Sequence, residues 1–103
     1  MIELPPEAPL KAYQRYIHDL EAQQGWLDVD LVHNCFLMGE EVGELFKAIR
    51  RYNRYFEETS LEIAASERTE QVAEEIVDVF NYLLAIANRL DIDLEQAFRD
   101  KNT

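Results

Sequence analysis

The apolar residues of this chain recur at steps of three and four positions, which is the spacing of amphipathic α-helices. The pattern predicts four helices, at residues 11–24, 31 to about 55, about 69 to 90, and 94 to about 100. Gly25 suits the end of the first helix. Either Asp28 or Asp30 can cap the second helix, and Asp93 can cap the fourth.

The two central helices carry the strongest apolar stripes. The stripe of the second helix consists of Leu31, Cys35, Met38, Val42, Leu45, Phe46, Ile49 and Tyr52. The stripe of the third helix consists of Val72, Ile76, Val79, Phe80, Leu83, Ile86, Ala87 and Leu90. We therefore expect Cys35 to be a small core residue. Between the two helices, Thr59 and Glu62 are spaced as a capping box, which predicts a short additional turn.

The composition supports an all-α fold and limits the possible partners. Only three Gly and three Pro occur among 103 residues that are 48% hydrophobic, so we expect one helical domain over residues 1–103. A net charge of −11 argues against a basic nucleic-acid interface and against adhesion to an anionic membrane. A single cysteine, an acidic and proline-rich start and short apolar runs predict a cytoplasmic protein without a signal peptide or membrane span.

Two pairs of acidic residues lie next to the apolar stripes of the central helices. Glu41 and Glu44 are three residues apart on the second helix, and Glu75 and Asp78 are three apart on the third, so each pair occupies one side of its helix. Carboxylates beside a core are costly unless a counter-charge neutralises them, and oxygen ligands suit Mg²⁺ or Mn²⁺. Spacing alone leaves two interpretations open, a metal site and ordinary surface acids.

The same residues carry a resemblance to a known family. Residues 37–45, LMGEEVGEL, followed by residues 74–98, EEIVDVFNYLLAIANRLDIDLEQAF, resemble the MazG-like branch of the all-α nucleotide pyrophosphohydrolases. The family pattern of Glu-x-x-Glu followed by Glu-x-x-Asp is matched by Glu41, Glu44, Glu75 and Asp78. The resemblance implies a four-helix-type bundle that works as a homodimer or homotetramer, with these four acids as the metal-binding and catalytic residues.

The resemblance also suggests residues that contact the substrate. Trp26 offers a flat face for a base, and the hydroxyl of Tyr82 could meet a phosphate or the sugar. His18, Asn81 and Lys101 are further candidates for substrate binding. Family members usually continue after this lysine with an asparagine about four residues on and further basic residues, and Asn102 does not match that asparagine. The resemblance then leaves two alternatives for the phosphate contacts, which are either reduced or supplied by a neighbouring subunit or by Arg50, Arg51 and Arg54.

The implied activity is Mg²⁺-dependent hydrolysis of a nucleoside triphosphate to monophosphate and pyrophosphate, as house-cleaning of the nucleotide pool. Glu44 is our choice for the acid that takes the proton of the attacking water. Asn34, Asn81 and His18 are the only further hydrogen-bonding candidates near the pocket, so loose base selectivity is expected. Two alternatives remain: a narrower substrate, such as a deoxypyrimidine triphosphate or phosphoribosyl-ATP, and a non-catalytic acidic helical module that binds a protein.

Overall fold

The computed structural model describes residues 6–53 and 65–103, which form four α-helices and no strand. The helices are α1 (Pro9–Gln24), α2 (Leu31–Tyr52), α3 (Ala65–Arg89) and α4 (Leu94–Lys101). The prediction of an all-α fold with four helices is therefore confirmed for this part of the chain. No described helix combines the length and the apolarity that crossing a bilayer requires.

The helix ends follow the capping residues of the sequence. Gly25 ends α1 in the left-handed conformation, with φ of 77°, which glycine adopts without a steric penalty. Of the two aspartates that could cap α2, Asp30 does so, because its Oδ1 accepts the backbone N–H of His33 at 2.8 Å. Asp93 caps α4 by accepting the N–H of Gln96 at 3.1 Å. This hydrogen bond is the main reason why the pKa of Asp93 lies below its usual value.

The predicted boundaries between α2 and α3 need two adjustments. α2 ends at Tyr52, three residues before the predicted end, and α3 begins at Ala65, four residues before the predicted start. The turn predicted from Thr59 and Glu62 lies outside the described residues. α3 begins with residues 65–68, Ala-Ser-Glu-Arg, which a helix accommodates without an apolar pattern. Because the apolar stripe starts only at Val72, it underestimates the length of α3.

α2 packs along α3, α1 packs against α3, and α4 packs against α1. α2 and α3 run antiparallel, because Glu41 lies near Asp78 whereas Asn34, earlier in α2, lies near Arg89, later in α3. The main buried cluster joins α1 to α3 through Ile17, Leu84 and Ala85, with Leu20, Phe80 and Leu94 partly buried around it. The core of the described residues is small, since the only other buried apolar side chains are Ala48 and Ala87.

Two polar clusters fasten α4 to the rest of the chain. Gln14 of α1 donates to the Asn88 side chain at 3.0 Å and to the carbonyl of Ile92 at 2.9 Å, and it accepts the N–H of Leu94 at 3.0 Å.

The second cluster is centred on Glu95, which accepts the N–H of Leu10 at 3.1 Å and forms a 3.3 Å ion pair with Arg99. Arg99 also donates to the carbonyl of Glu7 at 2.9 Å. α4 is thus positioned by hydrogen bonds as much as by apolar contact.

The expectation that Cys35 belongs to the core is wrong, because its side chain is exposed. α2 turns a neighbouring side towards α3, and the buried residues there are Asn34 and Ala48. The stripe read from the sequence is wider than the surface that one partner helix can cover. As a result, large apolar side chains of both central helices are exposed: Val32, Phe36, Phe46, Ile49, Tyr52, Ile76, Val77 and Leu83.

Candidate metal centre and adjoining cavity

Three of the four predicted acids converge where α2 faces α3. Glu41, Glu75 and Asp78 each place one carboxylate oxygen within 4.8 Å of the others. Glu75 and Asp78 share one side of α3 because they are three residues apart, and the antiparallel packing brings Glu41 opposite them. Glu44, one turn further along α2, is exposed and lies outside this group. We refer to Glu41, Glu75 and Asp78 as the acid cluster.

The acid cluster is electrostatically unfavourable on its own. The pKa of Glu41 lies above its usual value, first because partial burial disfavours its charged form and then because of the negative charges of Asp78 and Glu75. A hydrogen bond with the Glu75 carboxyl and the charge of Glu44 raise this pKa further. Glu44 therefore acts on the cluster through its charge, although it is not one of the three converging groups.

The donor set of the acid cluster fits a small divalent cation. All three groups offer oxygen, the ligand that Mg²⁺ and Mn²⁺ prefer. Among the described residues, the buried Oε2 of Glu75 has no hydrogen-bond partner, which suits it to coordinate a cation. Two oxygens on one Mg²⁺ lie at most about 4.2 Å apart, because each bond is about 2.1 Å long. The 4.8 Å spacing of the cluster is thus within a small side-chain adjustment of that limit.

A cavity of about 440 Å³ adjoins the acid cluster and lies between α1, α2 and α3. Glu41 and Asp78 belong to both the cluster and the cavity wall. The antiparallel packing places the acids at one end, and Asn34 and Ala85 lie roughly 10 Å away along the helix axes. The cavity is lined by Ile17, Leu20, Glu21, Trp26, Val29, Asn34, Leu37, Glu41, Asp78, Asn81, Tyr82 and Ala85.

Three of the predicted substrate-binding residues line this cavity together, namely Trp26, Asn81 and Tyr82. Tyr82 lies one turn after Asp78 on α3 and so faces the same space. Its pKa is raised, mainly by burial and then by the charge of Glu41, so the hydroxyl stays protonated and can donate a hydrogen bond at neutral pH. The cavity therefore joins an acidic end to an aromatic wall.

The structure does not bring His18 and Lys101 to this cavity. α1 presents Ile17 and Glu21 to it, and His18, turned by about 100° from Ile17, faces elsewhere. His18 instead lines a separate, polar cavity of about 430 Å³ beside Gln14 and Asn88. Lys101 is exposed at the end of α4 and is not among the lining residues. Arg50 and Arg51 are exposed at the end of α2, and Arg54 lies outside the described residues.

The sequence interpretation missed Glu21 and Val29 as part of the cavity wall. Glu21 is buried although it is charged, and it follows Ile17 by four residues on the apolar side of α1. A charged residue at a stripe position was a signal that could have identified it. Asn34, which the sequence offered only as a hydrogen-bonding candidate, is buried and lines the cavity.

Comparison with known proteins identifies a family. No curated protein matches the chain. The profile of the MazG nucleotide pyrophosphohydrolase domain matches residues 34–102, about two thirds of the chain. The matched region contains all four predicted acids and Tyr82, whereas Trp26 and the residues of α1 lie outside it. The chain therefore belongs to the MazG nucleotide pyrophosphohydrolase family.

Proposed function

We propose that this chain hydrolyses nucleoside triphosphates to nucleoside monophosphate and pyrophosphate, with Mg²⁺ as cofactor and Mn²⁺ as a substitute. The observation that carries the proposal is the acid cluster at one end of a cavity whose wall includes an aromatic face, Trp26. A triphosphate needs charge neutralisation at one end, and a base needs a flat apolar contact at the other. House-cleaning of the nucleotide pool is the role that we propose for this activity.

Glu41, Glu75 and Asp78 are the residues that would hold the metal. A Mg²⁺ ion held there would supply positive charge that neutralises the phosphates and that polarises their oxygens and the attacking water. Glu44 stays outside the three converging ligands, so its carboxylate is left to accept the proton of the attacking water. The protonated Tyr82 hydroxyl donates to a phosphate or to the sugar, and Trp26 stacks on the base.

Basic side chains that contact the phosphates would have to come from a neighbouring copy of the chain. Lys101 and the arginines of α2 do not line the cavity of their own chain. In an oligomer, a neighbouring copy could bring such side chains to the phosphates, and the exposed positions of Lys101, Arg50 and Arg51 allow this. His18 has no role in this proposal, because it faces the other cavity.

The first prediction concerns metal binding. Millimolar Mg²⁺ or Mn²⁺ should raise the melting temperature of the parent protein at fixed protein concentration. A tenfold excess of free cation over Kd should increase the free energy of unfolding by about 1.4 kcal/mol. Glu41→Gln should abolish this response. It should also melt at a higher temperature than the parent in EDTA, because it removes one of the repelling charges.

Glu74→Gln is the matched control for metal binding, since Glu74 is an exposed neighbour of Glu75 on α3 and lies outside the acid cluster. It should keep the parental response to metal. A parent that shows no shift with either cation would contradict the metal assignment, and it would favour the non-catalytic acidic module.

The second prediction concerns the products. Incubation with the eight common triphosphates should release monophosphate and pyrophosphate in Mg²⁺, and nothing in EDTA; phosphoribosyl-ATP is assayed beside them as the competing substrate. Glu41→Gln and Asp78→Asn should lower the rate at least about 100-fold. Loss of a residue that only hydrogen-bonds to a metal ligand already lowers activity or metal affinity by about 10–100-fold, and loss of a ligand itself should have a larger effect. Glu74→Gln should remain near the parental rate.

Chromatographic separation of the products decides between the proposed reaction and its competitors. Diphosphate with orthophosphate would indicate an ordinary phosphatase and would refute the proposed cleavage. Turnover of phosphoribosyl-ATP alone, or of deoxypyrimidine triphosphates alone, would assign the narrower substrate. Full turnover in EDTA would rule out the metal-dependent reaction.

The third prediction concerns the base. Trp26→Ala should raise KM by about tenfold and leave kcat nearly unchanged, because stacking is worth about 1–3 kcal/mol and is made equally in the ground and transition states. Leu27→Ala, at the next position and absent from the cavity wall, is the control and should resemble the parent. Steady-state kinetics on several triphosphates measures both constants. An unchanged KM in Trp26→Ala would show that Trp26 does not contact the base.

The fourth prediction concerns assembly, since we propose a homodimer or homotetramer. On α2, Val32, Phe36 and Phe46 are 62%, 72% and 62% exposed, and Gly39 and Gly43 fall between them on the same side. A Cβ at either glycine would meet no atom of the described residues within 4 Å, so this side of α2 has room for a close neighbour. A symmetric contact between two copies would cover it.

Light scattering at micromolar concentration should therefore give the mass of a dimer or tetramer. Phe36→Asp should shift this mass towards the monomer, because it places a charge in the proposed apolar contact. His33→Asp adds the same charge to the exposed polar side of the same helix and should leave the mass unchanged. A monomeric parent would refute the proposed assembly.

A further inference from the structure

Arg89, the last residue of α3, connects four parts of the fold through one side chain. Its Nε donates to the carbonyl of Val29 at 2.7 Å, and its Nη2 donates to the carbonyl of Trp26 at 2.9 Å. The guanidinium also pairs with both carboxylate oxygens of Glu21, at 3.2 and 2.9 Å. The Asn34 amide is assigned with its oxygen towards the guanidinium, because the opposite orientation would set donors against donors.

The partners of Arg89 share one property, which is that they line the cavity. Glu21 comes from α1, Trp26 and Val29 from the connection between α1 and α2, and Asn34 from α2. Arg89 itself is not among the lining residues, and its side chain is only 13% exposed. The guanidinium thus lies directly behind the part of the cavity wall that includes the aromatic face.

From these contacts we infer that Arg89 is a positioning residue for the nucleoside-binding end of the cavity. It fixes the backbone that carries Trp26, orients Asn34, and thereby sets the affinity for the nucleoside part of the substrate. This inference rests on the proposed function for the identity of the ligand. Its structural part, the control of Trp26 by Arg89, can be tested without any turnover.

Arg89 also compensates a charge that would oppose binding. Glu21 places a carboxylate in the wall of a cavity proposed to receive a polyanion, and its side chain is only 9% exposed. An unpaired carboxylate at that depth would be costly and would repel phosphates. Because the guanidinium contacts both of its oxygens, the pair presents little net charge to the cavity.

Lysine could not reproduce these contacts. A guanidinium directs its N–H groups outwards in a fixed plane, and here they reach acceptors on α1, on the connection and on α2. A lysine ammonium groups its three donors at one atom. It can retain the ion pair with Glu21, but it cannot also hold the two carbonyls of Trp26 and Val29 in their places.

The inference predicts that a change at Arg89 affects only one of the two ends of the cavity. Arg89 follows Asp78 by eleven residues on α3, roughly 16 Å along the helix axis. Its partners in the described part of the chain do not include Glu41, Glu75 or Asp78. A change at Arg89 should therefore alter nucleoside binding and leave phosphate binding at the acid cluster unaffected.

The test compares Arg89→Lys with Arg99→Lys in the full chain. Arg99 is a matched control because it also pairs with a buried glutamate, Glu95, and donates to a backbone carbonyl, that of Glu7, yet neither partner lines the cavity. Trp26 is the only tryptophan, so acrylamide quenching of its fluorescence reports on the connection directly. Binding of the four common ribonucleoside monophosphates and of inorganic tripolyphosphate, each with Mg²⁺, reports on the two ends of the cavity.

Arg89→Lys should increase the quenching of Trp26 and weaken monophosphate binding about tenfold, which corresponds to about 1.4 kcal/mol. Its affinity for tripolyphosphate should stay within about twofold of the parent, and Arg99→Lys should match the parent in all three measurements. Parental quenching and monophosphate affinity in Arg89→Lys would overturn the inference. Equal losses for monophosphates and tripolyphosphate would also overturn it, because they would indicate a general loss of structure.

If Arg89→Lys does not fold, the double variant Glu21→Gln with Arg89→Gln replaces the buried ion pair by a neutral hydrogen-bonding pair. It should show the same increased quenching, and parental quenching in this variant would overturn the inference. A parent that binds neither nucleotides nor tripolyphosphate would refute the proposed function. In that case the quenching of Trp26 would still decide whether Arg89 positions the connection.

Discussion

The contact between α2 and α3 places three carboxylates together, and the rest of the site depends on this unfavourable arrangement. Partial burial and mutual repulsion raise the pKa of Glu41, so the bare cluster opposes the packing that creates it. A divalent cation removes this opposition, since it replaces repulsion with coordination by oxygen. The buried Oε2 of Glu75 has no hydrogen-bond partner in the described part of the chain, which is consistent with a group that coordinates a bound cation.

The cavity divides the recognition of a nucleotide between two sets of residues. The acid cluster lies within the region that matches the family profile, and it addresses phosphates, which all nucleotides share. The opposite wall comes largely from α1 and the connection after it, which lie outside that region. Arg89 joins the two parts, because it extends from the matched α3 to the carbonyls of Trp26 and Val29. Family membership therefore informs the chemistry at the acid cluster more directly than the choice of base.

Small size explains why so much apolar surface remains exposed. A chain of about 100 residues has a high ratio of surface to volume, and two long striped helices cannot cover each other completely. Only five apolar side chains of the described residues are buried, and several large apolar side chains are exposed, among them Phe36 at 72%. The same constraint links assembly to function in our proposal, because a neighbouring copy would cover α2 and could supply basic groups, which are absent from the described cavity wall.

The sequence by itself determined the number and type of the helices, the caps at Gly25 and Asp93, and the placement of the paired acids, because these depend on local spacing and capping chemistry. It does not determine which side of a broad stripe faces the partner helix, and for this reason the stripe predicts Cys35 in the core although its side chain is exposed. The tertiary structure alone separated His18 from the cavity and brought Glu21, Asn34 and Arg89 together. These outcomes depend on the rotation and crossing of helices distant in sequence, which spacing within one helix does not encode.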